Sequence, residues 1–161
     1  MEGIERAIAM EKRAEGQYRD LAGKAVNPGL RSIFLLLAEE EARHHDFYRA
    51  RAEGADVKMK DSELIDAVKK VFLKIRESRD ISGTGIAEVE FYRKALEFEK
   101  EHYNFYHGKA EDAGNEEERK LFLKIAGEEK RHAVVLENVV QFVSQPETWL
   151  EDAEWYHLEE Y

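Results

Sequence analysis

Glu41 and His44, and again Glu129 and His132, stand three residues apart in stretches of helical composition. A step of three along an α-helix turns the chain through about 300°, so the two side chains of each pair leave one face about a turn apart. A carboxylate and an imidazole so placed can serve one transition-metal ion. Two further glutamates, Glu11 and Glu99, lie on the apolar stripes of the preceding segments, between Ala7 and Tyr18 and between Ala95 and Tyr106. Phe34, Leu37 and Ala38 before the first pair, and Phe122, Ile125 and Ala126 before the second, place the paired faces inward. Six ionisable groups then face a core. Four buried carboxylates without compensation would cost on the order of several kcal/mol each and would be driven to protonate. Two divalent cations cancel four carboxylates. Oxygen-rich ligation with one imidazole per ion suits iron or manganese, with zinc a further option, whereas an all-oxygen cage would favour magnesium or calcium.

One Glu-x-x-His in so acidic a chain is expected by chance on a solvated helix. Two copies in register are not. Shifted by 88 positions, Glu11 falls on Glu99, Tyr18 on Tyr106, Glu41 on Glu129 and His44 on His132. Ala7, Lys12, Ala22, Ala25, Asn27, Arg31, Phe34, Leu35, Ala38, Glu40 and Arg43 also repeat identically. An uninterrupted repeat of this kind predicts two similar helical hairpins joined by a long crossover, forming a pseudo-symmetric four-helix bundle.

The elements that must position these groups follow from steps of three and four. Ile4 to Val26 reads as a first helix, with Ile4, Ala7, Ile8, Glu11, Ala14, Tyr18, Leu21, Ala22 and Ala25 on one face. Asn27, Pro28 and Gly29 end it and restart the chain, Asn27 as an N-cap and Pro28 in the first turn. A second helix runs from about Leu30 to Ala52, and Gly54 closes it. The linker, about 54–85, carries a short amphipathic helix around Ser62 to Arg76 through Leu64, Ile65, Val68, Phe72 and Ile75. The third helix spans Ile86 to Ala113, Gly114 and Asn115 break it, and the fourth runs from about Glu116 to Val143. Pro146 stops it and a short aromatic tail, expected to be helical, follows. The hairpin repeats thus cover about 4–52 and 86–143 of a single domain, 1–161.

Composition narrows the function classes. The 161 residues suffice for one domain with its own core. There is no cysteine, which removes disulfides, thiolate chemistry, iron–sulfur clusters and a rubredoxin-type iron centre. With 35 acidic against 25 basic side chains the formal charge is −10, which repels phosphate backbones and argues against nucleic acid. No apolar run is long enough for a membrane span and no signal-peptide pattern opens the chain, so no membrane partner and a cytoplasmic location are expected.

One glutamate from each of two helices and Glu-x-x-His from two others is the ligand pattern of ferritin-like di-iron carboxylate proteins. The segments AIAMEKRAEGQY, LAEEEARHHDFY, ALEFEKEHYNFY and IAGEEKRHAVVLE resemble the rubrerythrin branch of that group, and the tail PETWLEDAEWYHLEEY resembles its free-standing members. The resemblance implies an all-α, ferritin-like four-helix bundle. It implies that Glu41 and Glu129 bridge two metals, with Glu11 and His44 completing one ion and Glu99 and His132 the other. It implies a cytoplasmic di-iron oxidoreductase that reacts with hydrogen peroxide or dioxygen in oxidative stress, of peroxidase or ferroxidase type, and a homodimer. Lacking a rubredoxin iron centre, the chain would draw electrons from a separate donor. The alternative is a non-catalytic iron-binding, iron-handling protein.

Tyr18 and Tyr106 lie two turns beyond their glutamates on the same face. Core packing with a satisfied hydroxyl accounts for them, and the resemblance adds a hydrogen bond to a ligand carboxylate. His102 takes the place, three residues after the third-helix ligand, where the best-known rubrerythrin peroxidases carry an extra glutamate. It reads as an additional ligand or as a polar neighbour, and the rarity of buried ionisable groups favours the neighbour. His45, His107 and His157 are assigned to the surface. Trp149, Trp155, Tyr156 and Tyr161 make the tail too aromatic for a free end, and packing or a dimer contact is expected of it.

Overall fold

The computed structural model describes residues 2–151. Among them are six α-helices and no strand: α1 (Glu2–Lys24), α2 (Pro28–Ala52), α3 (Leu64–Ser78), α4 (Ile86–Glu111), α5 (Glu116–Ser144) and α6 (Pro146–Glu151). None is long and apolar enough to cross a membrane. The chain is all-α, with the order of a ferritin-like fold: hairpin, crossover with a short helix, hairpin, tail. It divides into two compact units, the first ending at Ser78 and the second starting at Arg79.

In the first unit α1 and α2 form a hairpin through a turn of three residues. Asn27 sets the turn. Its side-chain oxygen accepts from Gly29 N at 2.9 Å and Leu30 N at 3.2 Å, satisfying two of the otherwise orphaned donors at the start of α2. Pro28 takes the first helical position, where its missing N–H costs little. Arg31 Nη2 donates to Ala25 O at 3.0 Å and ties off the end of α1. α1 therefore stops two residues short of Val26, which is exposed.

The crossover is fastened to α2. Glu40 accepts from Arg43 Nε at 2.8 Å and from the Ser62 hydroxyl, while Arg43 Nη1 donates to Lys60 O at 2.9 Å. Ser62 Oγ in turn accepts from Leu64 N at 3.1 Å where α3 begins. The helix then buries Leu64, Ile65, Val68, Phe72 and Ile75, the stripe expected from the spacing. Gly29 lets α2 approach α3 closely, because a Cβ there would run into the Ile75 side chain.

In the second unit α4 and α5 repeat the hairpin, and Asn115 repeats the cap by accepting from Glu118 N at 2.8 Å. Gly85 precedes α4 at φ 121°, a conformation that suits glycine, and its N–H donates to Val143 O at 2.8 Å. From Ala133 to Val143 α5 is buried at almost every position, as suits an interior helix apolar on all sides. α6 folds onto it, with the rings of Phe142 and Trp149 5.0 Å apart. Trp149 is thus accounted for by packing within its own unit. Trp155, Tyr156, His157 and Tyr161 lie outside the described residues.

Candidate metal centre

Each hairpin gathers its own three donors. In the first, Glu11 comes from α1 and Glu41 and His44 from successive turns of α2. All three are at most 1% exposed, and their ligand atoms lie within 4.8 Å of one another. In the second, Glu99 comes from α4 and Glu129 and His132 from α5, equally buried and equally close. All six residues singled out by spacing are therefore in the interior, three to a unit.

The separations within each triad suit donors to a common ion. His44 Nδ1 stands 3.5 Å from Glu11 Oε2. His132 Nδ1 stands 3.6 Å from Glu129 Oε2 and 3.7 Å from Glu99 Oε1. Charge-assisted hydrogen bonds close to about 2.8 Å. Donors each about 2.1 Å from a common ion can be separated by up to about 4.2 Å. The donor chemistry fits as well, two carboxylates and one imidazole per triad being a set that takes iron, manganese or zinc.

Electrostatics in the second unit keep one acid ionised. Burial raises the pKa of Glu99, but polar contacts with Glu129 and His132 and the charges of His132 and His102 outweigh it and hold the carboxyl at about 2. Glu99 is thereby kept as an anion in the interior.

The neighbouring aromatics follow the repeat in space. Tyr18 stacks on Phe34 with ring centroids 6.4 Å apart, and Tyr106 on Phe122 with centroids 6.5 Å apart. Both tyrosines are buried, and their packing role is thereby accounted for.

His102 is buried, with Nδ1 3.9 Å from Glu129 Oε2, a polar neighbour of the second triad. Glu128, adjacent to Glu129, is also buried, just before the stretch where α5 is buried at almost every position. Its repeat partner Glu40 is buried too, and the shared identity at that offset was the available signal. His45 is half-buried beside Asp46 rather than on the open surface, and His107 pairs with Glu111 at 3.3 Å.

Neither the curated proteins nor the solved structures give a match to this chain. A family model does: the rubrerythrin model covers residues 2–140, both hairpins and the crossover between them, with all six donors inside the match. The chain belongs to the rubrerythrin family.

Proposed function

We propose that this protein is a di-iron oxidoreductase that reduces hydrogen peroxide, with Glu11, Glu41 and His44 serving one ion and Glu99, Glu129 and His132 the other. The observation that carries the reading is the pair of buried Glu/Glu/His triads, whose separations suit a shared cation better than a hydrogen bond. Family membership supports iron as the metal and a bridging role for Glu41 and Glu129. When loaded, the metal pair would supply the two electrons that, with two protons, reduce one peroxide to two waters; a separate electron donor would restore them.

The chain's own groups set the conditions for that reaction. With Glu41 and Glu129 shared between the ions, three carboxylate oxygens and one imidazole leave each ion short of six ligands, so a small oxidant can reach it. Phe34 and Leu37 in one unit and Phe122 and Ile125 in the other are fully or almost fully buried; this apolar surround excludes bulk water and offers no recognition groups for a larger substrate. Tyr18 and Tyr106 lie on the faces of Glu11 and Glu99, where their hydroxyls would hold ligand carboxylates in orientation.

The test is stopped-flow mixing of diferrous protein with hydrogen peroxide and, separately, with air-saturated buffer. Oxidation by stoichiometric peroxide should be at least tenfold faster, and an added reductant should sustain turnover. Equal rates, with iron accumulating beyond two per chain, would instead make this an iron-handling protein.

A further inference from the structure

The repeat accounts for the buried triads but not for a line of rings on the outside of α4. Phe91, Phe98 and Phe105 stand seven residues apart, and Phe91 and Phe98 are 54% and 37% exposed. Under the shift of 88 positions their counterparts on α1 are Gly3, Met10 and Gln17, so the hairpin itself needs no aromatic at any of the three. Heptad spacing keeps the rings along one seam about 21 Å long, the pattern by which one helix packs on another. The charge around the seam is unlike that of the chain. From 90 to 101 the exposed charges are three basic, Arg93, Lys94 and Lys100, and three acidic, Glu90, Glu97 and Glu101, in a protein of formal charge −10. Repulsion between two copies is therefore weak on this face. Arg93 pairs with Glu90 and Lys100 with Glu97 along the helix at 3.8 Å each, whereas Lys94 and Glu101 have no ion-pair partner among the described residues.

Independently of the metal reading, we propose that this face of α4 pairs with α4 of a second copy of the chain, antiparallel about a twofold axis at Phe98. An axis there sets Phe98 against its own copy and Phe91 against Phe105 of the second copy, so one patch serves both sides of the contact. The charges fix the direction. Lys94 lies four residues before Phe98 and Glu101 three after it, on the same side of the seam. Antiparallel pairing brings Lys94 of each copy to within about 1.5 Å, measured along the helix, of the level of Glu101 of the other. Two symmetric ion pairs result. Within one chain the same two residues are about 10.5 Å apart along the helix and cannot meet. A parallel pair would set each of them level with its own copy, like charge with like.

Sedimentation equilibrium of the whole chain at micromolar concentrations tests this. Wild-type protein should run at twice the chain mass. Phe98→Glu places two carboxylates together at the axis and should raise the dimer dissociation constant by about a hundredfold or more. Met10→Glu, at the repeat-matched place on α1, should leave it unchanged. Lys94→Glu and Glu101→Lys should each weaken the dimer by on the order of tenfold, because each sets like charges across the seam. The double variant restores opposite charges with their places exchanged and should return to within about threefold of wild type. Lys94 and Glu101 are exposed, so these variants carry the test even where Phe98→Glu folds poorly. A monomeric wild type, a dimer that Phe98→Glu leaves intact, equal loss in Met10→Glu, or a double variant no tighter than the single ones would overturn the proposal.

Discussion

His44 Nδ1 lies 3.5 Å from Glu11 Oε2 across the α1–α2 hairpin, with both side chains sealed from solvent. Neither is adjacent in sequence to the other, and the same relation recurs between His132 and Glu99 in the second hairpin at 3.7 Å.

Metal that binds only the folded protein should stabilise it by mass action, about 2.7 kcal/mol at a free concentration one hundred times Kd. For a chain of this size that is a rise in Tm of roughly 5–10 °C. Glu41→Ala should lose most of the increment, and its metal-free form should melt no lower than wild type, because a buried carboxylate has been removed. Glu39→Ala, on the exposed face two residues away, should keep the full increment. Equal behaviour of the two variants in a thermal melt would contradict the facing of these glutamates.

Gly29→Ala should destabilise the protein by about 1–3 kcal/mol through overpacking, since the added methyl meets the Ile75 side chain. Adding Ile75→Val should recover part of that loss. Chemical denaturation of the two single variants and the double variant measures the coupling; strictly additive effects would show that the contact does not restrict this site.

Glu99 gives the metal-free protein a defined pH dependence. Its carboxyl is held at about 2 against an ordinary value of 4.5. A depressed folded pKa contributes stability that is fully present above the ordinary value and is lost as pH falls towards 2. The stability difference between wild type and Glu99→Gln should therefore shrink between pH 5 and pH 2 in favour of the variant. A difference independent of pH in that window would mean that Glu99 is not held ionised.

Much of this arrangement is legible in the residues. Spacing alone places Glu41 with His44 and Glu129 with His132 on one face, and the repeat then identifies Glu11 and Glu99, which no local motif marks. The caps at Asn27 and Asn115 and the stripe of α3 are equally local and equally readable. Glu128 shows where periodicity stops helping: a rule of inward and outward faces assumes a helix with one wet side, and α5 buries nearly all sides beyond that point. The run of Ala133, Val134, Val135 and Leu136, followed by Val139 and Val140, carried that warning. For His102 the pattern fixed the face, while its burial and its 3.9 Å separation from Glu129 are visible only in the structure.

Replacing His44 or His132 with alanine should slow peroxide oxidation of diferrous protein by at least about tenfold, while the metal-free Tm changes little. Each substitution removes one donor and leaves all four carboxylates in place. Stopped-flow rates set beside melting curves make the comparison, and a loss of folding that matches the loss of rate would reassign these histidines to structure.

The most direct measurement is iron content together with electron paramagnetic resonance of the oxidised, iron-loaded protein. Two ferric ions sharing carboxylate bridges couple their spins, so the account predicts two irons per chain and almost no signal from isolated ferric ions. One iron per chain, or two irons with the full signal of isolated high-spin ferric ions, would contradict it.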